Sequence, residues 1–215
     1  MGQMEKRAMG QVIRPLEQLE GRTYDEPLIF LAGPIKGGGG WQEEAIIILQ
    51  KLESRLHIAS PRSLKPWDPN FTADKFTAQA DWESKYLLRA AENGCILFFL
   101  PPEVRVEHKP DRAYAQTTRV ELGLWLSTRA SVEAPDSPFR AAEIPNIVIG
   151  FGDAGKDWEK FYMSRLISGE RYFRYTIART GISYAGQTPI CEGLESTCQE
   201  AVRICPKPIA WSSTR

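Results

Sequence analysis

With 215 residues, 42% of them hydrophobic and 25% charged, the chain can bury one sizeable core in a single domain. Lys plus Arg and Asp plus Glu both total 27, so the formal net charge is zero; this lacks the basic footprint of a nucleic-acid binder and points to a small neutral or anionic metabolite as partner. Two histidines and four cysteines without C-x-x-C spacing argue against zinc, no apolar run reaches the roughly 18 residues of a membrane span, and Met1 to Arg22 lacks a signal peptide's apolar middle, so the expectation is a cytoplasmic protein without metal, cofactor or membrane contact.

Residues 1–26 read as a polar leader, with at most a short helix around Pro15 to Leu19, ahead of one domain over residues 27–210. Pro27-Leu28-Ile29-Phe30-Leu31-Ala32 is an apolar run without period-2 alternation, the habit of a central parallel strand buried on both faces. It breaks at Gly33-Pro34-Ile35-Lys36 into four glycines, Gly37 to Gly40. Glycine lets backbone N–H groups approach a ligand, and a helix opening at Trp41 turns its positive end to the same place. The spacing matches neither a P-loop nor a dinucleotide fingerprint, and a plain strand-to-helix turn explains the glycines equally well.

Trp41 to Leu56 carries apolar residues at 45, 48, 49, 52 and 56, a helical stripe with early acids and late bases. His57 to Ser60 is a short strand stopped by Pro61, and strand–helix–strand predicts a parallel sheet. Arg62 to Ala73 is turn-rich. A helix from Asp74 to Ala91 packs through Tyr86, Leu87, Leu88 and Ala91 and carries Gln79, Asp81, Trp82 and Glu83 on its first half. Cys95 to Leu100 is a second fully apolar strand, closed by Pro101-Pro102.

After a charged loop from Glu103 to Gln116, a helix opens near Thr117, with a threonine available as N-cap. A linker from Ser131 to Glu143, a strand at Asn146 to Gly150, a helix at Asp157 to Ile167, a weak strand at Tyr172 to Ile177 and a helix at Glu192 to Cys205 complete the reading. Cys191, Cys198 and Cys205 recur every seven residues, and a chain with this much apolar content needs no disulfide framework. The fold class is α/β, a Rossmann-like or flavodoxin-like parallel sheet of four to five strands flanked by helices, which binds ligands beyond the strands' carboxyl ends.

The Gly-rich turn, the loop after Leu100 and the start of the Thr117 helix all arrive at that edge. Glu121, one turn into this helix beside Thr117 and Thr118, is either a reactive carboxylate or a capping-box acid answering Thr118 three residues earlier.

Phe30-Leu31-Ala32-Gly33-Pro34-Ile35, Trp41, Pro61-Arg62, Gln79 to Glu83, the strand at Cys95 to Leu100 and Thr118-Arg119-Val120-Glu121-Leu122-Gly123 together resemble the nucleoside 2-deoxyribosyltransferase family. The likeness is to its branch with Leu-Ala-Gly-Pro-Ile, Trp-Glu and Thr-Arg-x-Glu-Leu-Gly motifs, and it runs from about Leu28 to Val202. It implies that Glu121 is the nucleophile attacking the anomeric carbon of a nucleoside and holding the sugar as a glycosyl ester. A second carboxyl, Asp81 or Glu83, manages the leaving base's proton; Glu83 in Trp82-Glu83 fits the branch better. Thr118 matches a position contacting the sugar's 5' end, and Gly33, Pro34, Ile35, Gly37 and Gly38 line the pocket. Trp41 and Trp82 are either base-stacking surfaces or core residues.

Two departures stand out. Ala115 occupies the place of a base-holding aspartate about six residues before the nucleophile, and Asn93-Gly94 replaces an Ala-Asp pair. The Lys36 to Gly40 turn resembles that of related deoxynucleoside monophosphate glycosidases, which implies a 5'-phosphate. The alternatives are therefore an N-glycoside hydrolase acting on nucleotides or NAD with water as acceptor, and a non-catalytic nucleotide-binding module. The family also implies a homodimer or larger homo-oligomer, for which the aromatic region Tyr162 to Tyr175 is a candidate contact.

Overall fold

Apolar runs that show no alternation need cover on both sides, and the chain supplies it by sending successive helices to opposite faces of one sheet. The computed structural model describes residues 9–19, 26–64, 72–101, 103, 114–133, 145–152 and 188–206. Its elements are β1 (Val12–Ile13), β2 (Leu28–Ala32), α1 (Trp41–Leu52), β3 (His57–Ala59), α2 (Ala73–Asn93), β4 (Gly94–Leu100), α3 (Gln116–Glu133), β5 (Ile147–Phe151), β6 (Ile190–Glu192) and α4 (Leu194–Ile204).

The sheet has six parallel strands in the order β1-β3-β2-β4-β5-β6. Without the edge strand β1 this is the flavodoxin-like order, and it reverses between β2 and β4. The switch point therefore lies beyond Ala32 and Leu100, where a crevice for a ligand opens in such sheets.

Every residue of β2, β4 and β5 is buried. On one face Leu28, Phe30, Ala32, Ile96 and Phe98 pack with Trp82, Tyr86 and Leu122 from α2 and α3. On the other face Ile29, Leu31, Leu97 and Val148 pack with Ala45, Leu49, Cys198 and Ala201 from α1 and α4. No helix of the described residues is long and apolar enough to cross a membrane.

The expected leader is different in the structure. Val12 and Ile13 pair with Ile58 and Ala59 as the sheet's edge strand, and Ile13 is buried. The Pro15 to Leu19 stretch is a turn with Leu16 at φ 69°, and it reaches α2: Glu17 O accepts from Trp82 Nε1 at 2.8 Å and the Leu19 amide donates to Tyr86 Oη at 2.9 Å. A two-residue edge strand in polar sequence carries no periodicity to read. With β1 and β6 the sheet gains strands that the expected four to five did not include. The expected helix at Asp157 to Ile167, the strand at Tyr172 to Ile177 and the aromatic region to Tyr175 lie outside the described residues, as do residues 134–143 of the linker.

Candidate functional site

The turn after β2 is glycine-rich for two separate reasons. Gly37, Gly39 and Gly40 sit at φ of 76°, 67° and 79°, a region open to glycine and strained for other residues. Gly33 and Gly38 are glycines because Trp41 lies where a side chain would go. A Cβ at Gly33 would come within 2.5 Å of the Trp41 ring and of Phe99 O, and one at Gly38 within 2.3 Å of Pro34 O and 3.1 Å of the same ring.

Trp41 is only 4% exposed, tilts against Phe99 at 5.3 Å and donates its indole N–H to Pro34 O at 3.1 Å; Gln42 Nε2 donates to the same carbonyl at 3.2 Å. Of the two roles considered for Trp41, the structure places it in the core as the floor of the turn. Pro34 and Gly38 are buried with it, while Ile35 faces outward, 40% exposed.

The opposite wall comes from β4 and the approach to α3. Tyr114, buried, donates its hydroxyl to Pro101 O at 2.9 Å, and its ring lies 3.3 Å from where a Cβ on Gly37 would stand. Next, Ala115 turns the chain at φ 54°, and its carbonyl accepts from the Arg119 amide at 3.0 Å, so α3 begins at Gln116. This corrects two expectations. No threonine is the N-cap, since Thr118 is already the third helical residue and is buried, and Glu121 falls in the second turn, beyond the position of a capping-box acid.

Glu121 is instead part-buried and within electrostatic reach of another carboxylate. α2 and α3 share one face of the sheet, and burial, with Glu83 as the second cause, pushes the Glu121 carboxyl up from 4.5 to about 7. Glu83 is also raised by burial, opposed by the amide of Gln79, whose Nε2 donates to Glu83 Oε1 at 3.0 Å. A carboxylate near a part-buried carboxyl makes the second harder to ionise, so Glu83 adds to the effect of burial on Glu121. Asp81 is exposed on a different side of α2, so the structure brings Glu83 to Glu121 and leaves Asp81 outside.

No protein-family model matches the chain, and no curated protein does either.

Trp82 resolves in the same way as Trp41. It is 4% exposed, its ring lies against Phe30 and Tyr86 at 6.3 and 4.9 Å, and its N–H is taken by Glu17 O, which leaves no open stacking face. The two indoles belong to the cores on opposite faces of the sheet. Among the described residues no group of three or more His, Cys, Asp or Glu could hold a metal ion. His57 is remote from the site, at the amino end of β3, where Nδ1 accepts from the Gln11 amide at 3.0 Å and Nε2 meets Glu26 Oε2 at 2.6 Å.

Sequence reasoning named Gln79 within a motif without giving it a role, and gave Tyr114 none. For Gln79 a signal existed: a Gln four residues before a Glu on one helix places the two side chains together. Tyr114 had none, because its contacts with Pro101 and Gly37 depend on how the turns after β2 and β4 converge.

Proposed function

We propose that the protein cleaves the N-glycosidic bond of nucleosides or nucleotides through a covalent glycosyl-glutamate and passes the sugar to another base. The observation that carries this reading is the meeting of two part-buried carboxyls from α2 and α3, in which Glu83 raises the proton affinity of Glu121. A pair of carboxyls with one proton between them is the chemistry of retaining glycoside cleavage.

Glu121, as the carboxylate, attacks the anomeric carbon; the carbon–nitrogen bond breaks and Glu83 delivers a proton to the departing base. A second base then attacks the anomeric carbon, the bond from that carbon to the Glu121 oxygen breaks, Glu83 takes the incoming base's proton, and the Glu121 carboxylate is regenerated. Thr118 and the Gly33 to Gly38 turn border the sugar, and a 2'-deoxy sugar, without the electron-withdrawing hydroxyl, reaches the oxocarbenium-like transition state more readily. No metal or organic cofactor enters these steps.

Ala115 favours a second reading for the acceptor. Its methyl group stands where the family resemblance calls for a base-holding aspartate, and a site that grips the incoming base weakly leaves the ester to water, giving a nucleotide N-glycoside hydrolase. Purified protein incubated with deoxynucleosides and deoxynucleotides, with and without free adenine, and followed by chromatography tests both. A new nucleoside formed only with adenine supports transfer, base released regardless of acceptor supports hydrolysis, and no turnover of any substrate removes the enzymatic reading in favour of a binding module.

A further inference from the structure

The two members of the carboxyl pair have unequal surroundings. Glu83 accepts the Gln79 amide at 3.0 Å within α2, and its helix is held by the segment after β1 on both sides of it, through Trp82 to Glu17 O and Tyr86 to the Leu19 amide. Lys85, two residues on, is drawn away to Gln18 Oε1 at 2.6 Å and lies over the Tyr86 ring. On the other element, α3, the carboxyl that Glu83 acts on is Glu121, and Glu17, in the segment after β1, turns its own carboxylate to the Arg14 amide at 2.8 Å. Glu83 therefore has a donor, while Glu121 faces burial and a like charge.

We propose that Gln79 is a positioning residue for the reaction: its amide aims the Glu83 carboxyl at Glu121 and keeps Glu83 the charged member, so that the pair's single proton rests on Glu121. This inference rests on the function proposed above. It also gives the reaction a starting point that balances. The proton on Glu121 passes to the Glu83 carboxylate as substrate binds, the freed Glu121 oxygen forms the bond to the anomeric carbon, the carbon–nitrogen bond breaks, and Glu83 hands the same proton to the departing base. No external acid is consumed. An amide that donated nothing to Glu83 would leave the proton divided between the two carboxyls and the receiving oxygen unaimed.

The test uses the full-length protein labelled with carbon-13 at glutamate carboxyls, titrated by NMR, with Glu121→Gln and Glu83→Gln assigning the two signals. In the wild type the signal that moves near neutrality belongs mainly to Glu121. In Gln79→Met, which keeps the size and removes the donor, Glu83 takes over a large share of that step, and kcat falls about tenfold with KM changed less than about twofold, the size expected from one hydrogen bond to a charged group. Gln79→Lys, which restores a donor, recovers most of kcat and returns the proton to Glu121, a rescue that a purely structural role would not produce. If Gln79→Met leaves both titrations and the pH profile as in the wild type, the role of Gln79 is overturned and the carboxyl pair stands. If Glu121 in the wild type titrates as an ordinary carboxyl, the pair itself is absent, and the proposed function loses its main support along with this inference.

Discussion

The two faces of the sheet are built to the same plan and differ in one respect. The face under α1 and α4 closes apolar on apolar: Ile29, Leu31, Leu97 and Val148 meet Ala45, Leu49 and Ala201, and the buried polar side chains there, thiols, Thr197 and Gln42, include no carboxyl. Burial pushes the Cys198 and Cys205 thiols up to about 12, which keeps them neutral and inert. The face under α2 and α3 has an equally apolar centre around Phe30, Trp82 and Leu122 but holds two carboxyls, Glu83 and Glu121, at its margin. A fold tolerates such local conflict where a site needs it, and the difference between the faces is what singles out the candidate site.

The sharpest break of that comparison is Glu121→Gln. We expect loss of turnover of about 10³-fold or more, the scale on which a reacting carboxyl contributes, with the circular dichroism spectrum retained. The same variant gains stability, and the sign follows from the raised proton affinity. A carboxyl that holds its proton more tightly when folded stabilises the protein fully below its ordinary value of 4.5, and that contribution is lost as pH rises to about 7. Wild-type stability therefore falls across this window. At pH 8 the glutamine variant exceeds it by about 2 kcal/mol, a figure discounted for the solvent-facing part of the side chain, and at pH 4 the two unfold together in denaturant titrations.

Glu83→Gln comes next. Removing the like charge lowers the Glu121 titration toward the ordinary carboxylate range, and without the group that hands the base its proton the maximal rate drops about 10²-fold. A Glu121 titration left unchanged in this variant would break the link between α2 and α3 on which the contrast of faces depends.

On the opposite face the expected effect is on stability alone. A Cβ at Gly150 would meet Thr197 Oγ1 at 2.1 Å and the Phe99 ring at 2.8 Å, with Thr197 held in place by donating its hydroxyl to Gly193 O at 2.6 Å. Gly150→Ala should cost about 2 kcal/mol and lower the melting temperature by about 5 °C in thermal unfolding. The smallest effect is at the thiols. In native protein near pH 7, Cys95, Cys198 and Cys205 stay unmodified by an aromatic disulfide reagent and Cys191 reacts slowly, since burial and the carboxylates of Glu200 and Glu192 raise it, whereas all four react in denaturant.

Much of the architecture was legible in the residues. Unbroken apolar runs located β2, β4 and β5 within one residue at either end, because a strand covered on both faces must be apolar at every position. The stripes at Trp41, Asp74 and Glu192 located three helices because their buried residues recur at the helical period. β1 was not legible: it is two residues long, only one of them buried, and its identity comes from the neighbour that accepts it. The site divided along the same line. Glu121 and Thr118 were conspicuous as residue types in sequence, but the start of α3 at Gln116 depends on Tyr114 and Ala115 turning against Pro101, which no local pattern records.

The sequence by itself determined the parallel α/β layering, the place of the Gly-rich turn at a strand's carboxyl end, and the short set of acids from which a reactive pair could come. Tertiary structure alone left Asp81 exposed and Glu83 near Glu121, buried Trp41 and Trp82 in the cores of opposite faces, and put Gly33 and Gly38 against an indole ring. The physical reason is that periodicity reports which side of an element faces the core, whereas desolvation and charge coupling depend on what another element, distant in the chain, sets opposite. Asp81 and Glu83 are two residues apart on one helix, and only the packing of α3 against the same face of the sheet gives one of them a partner.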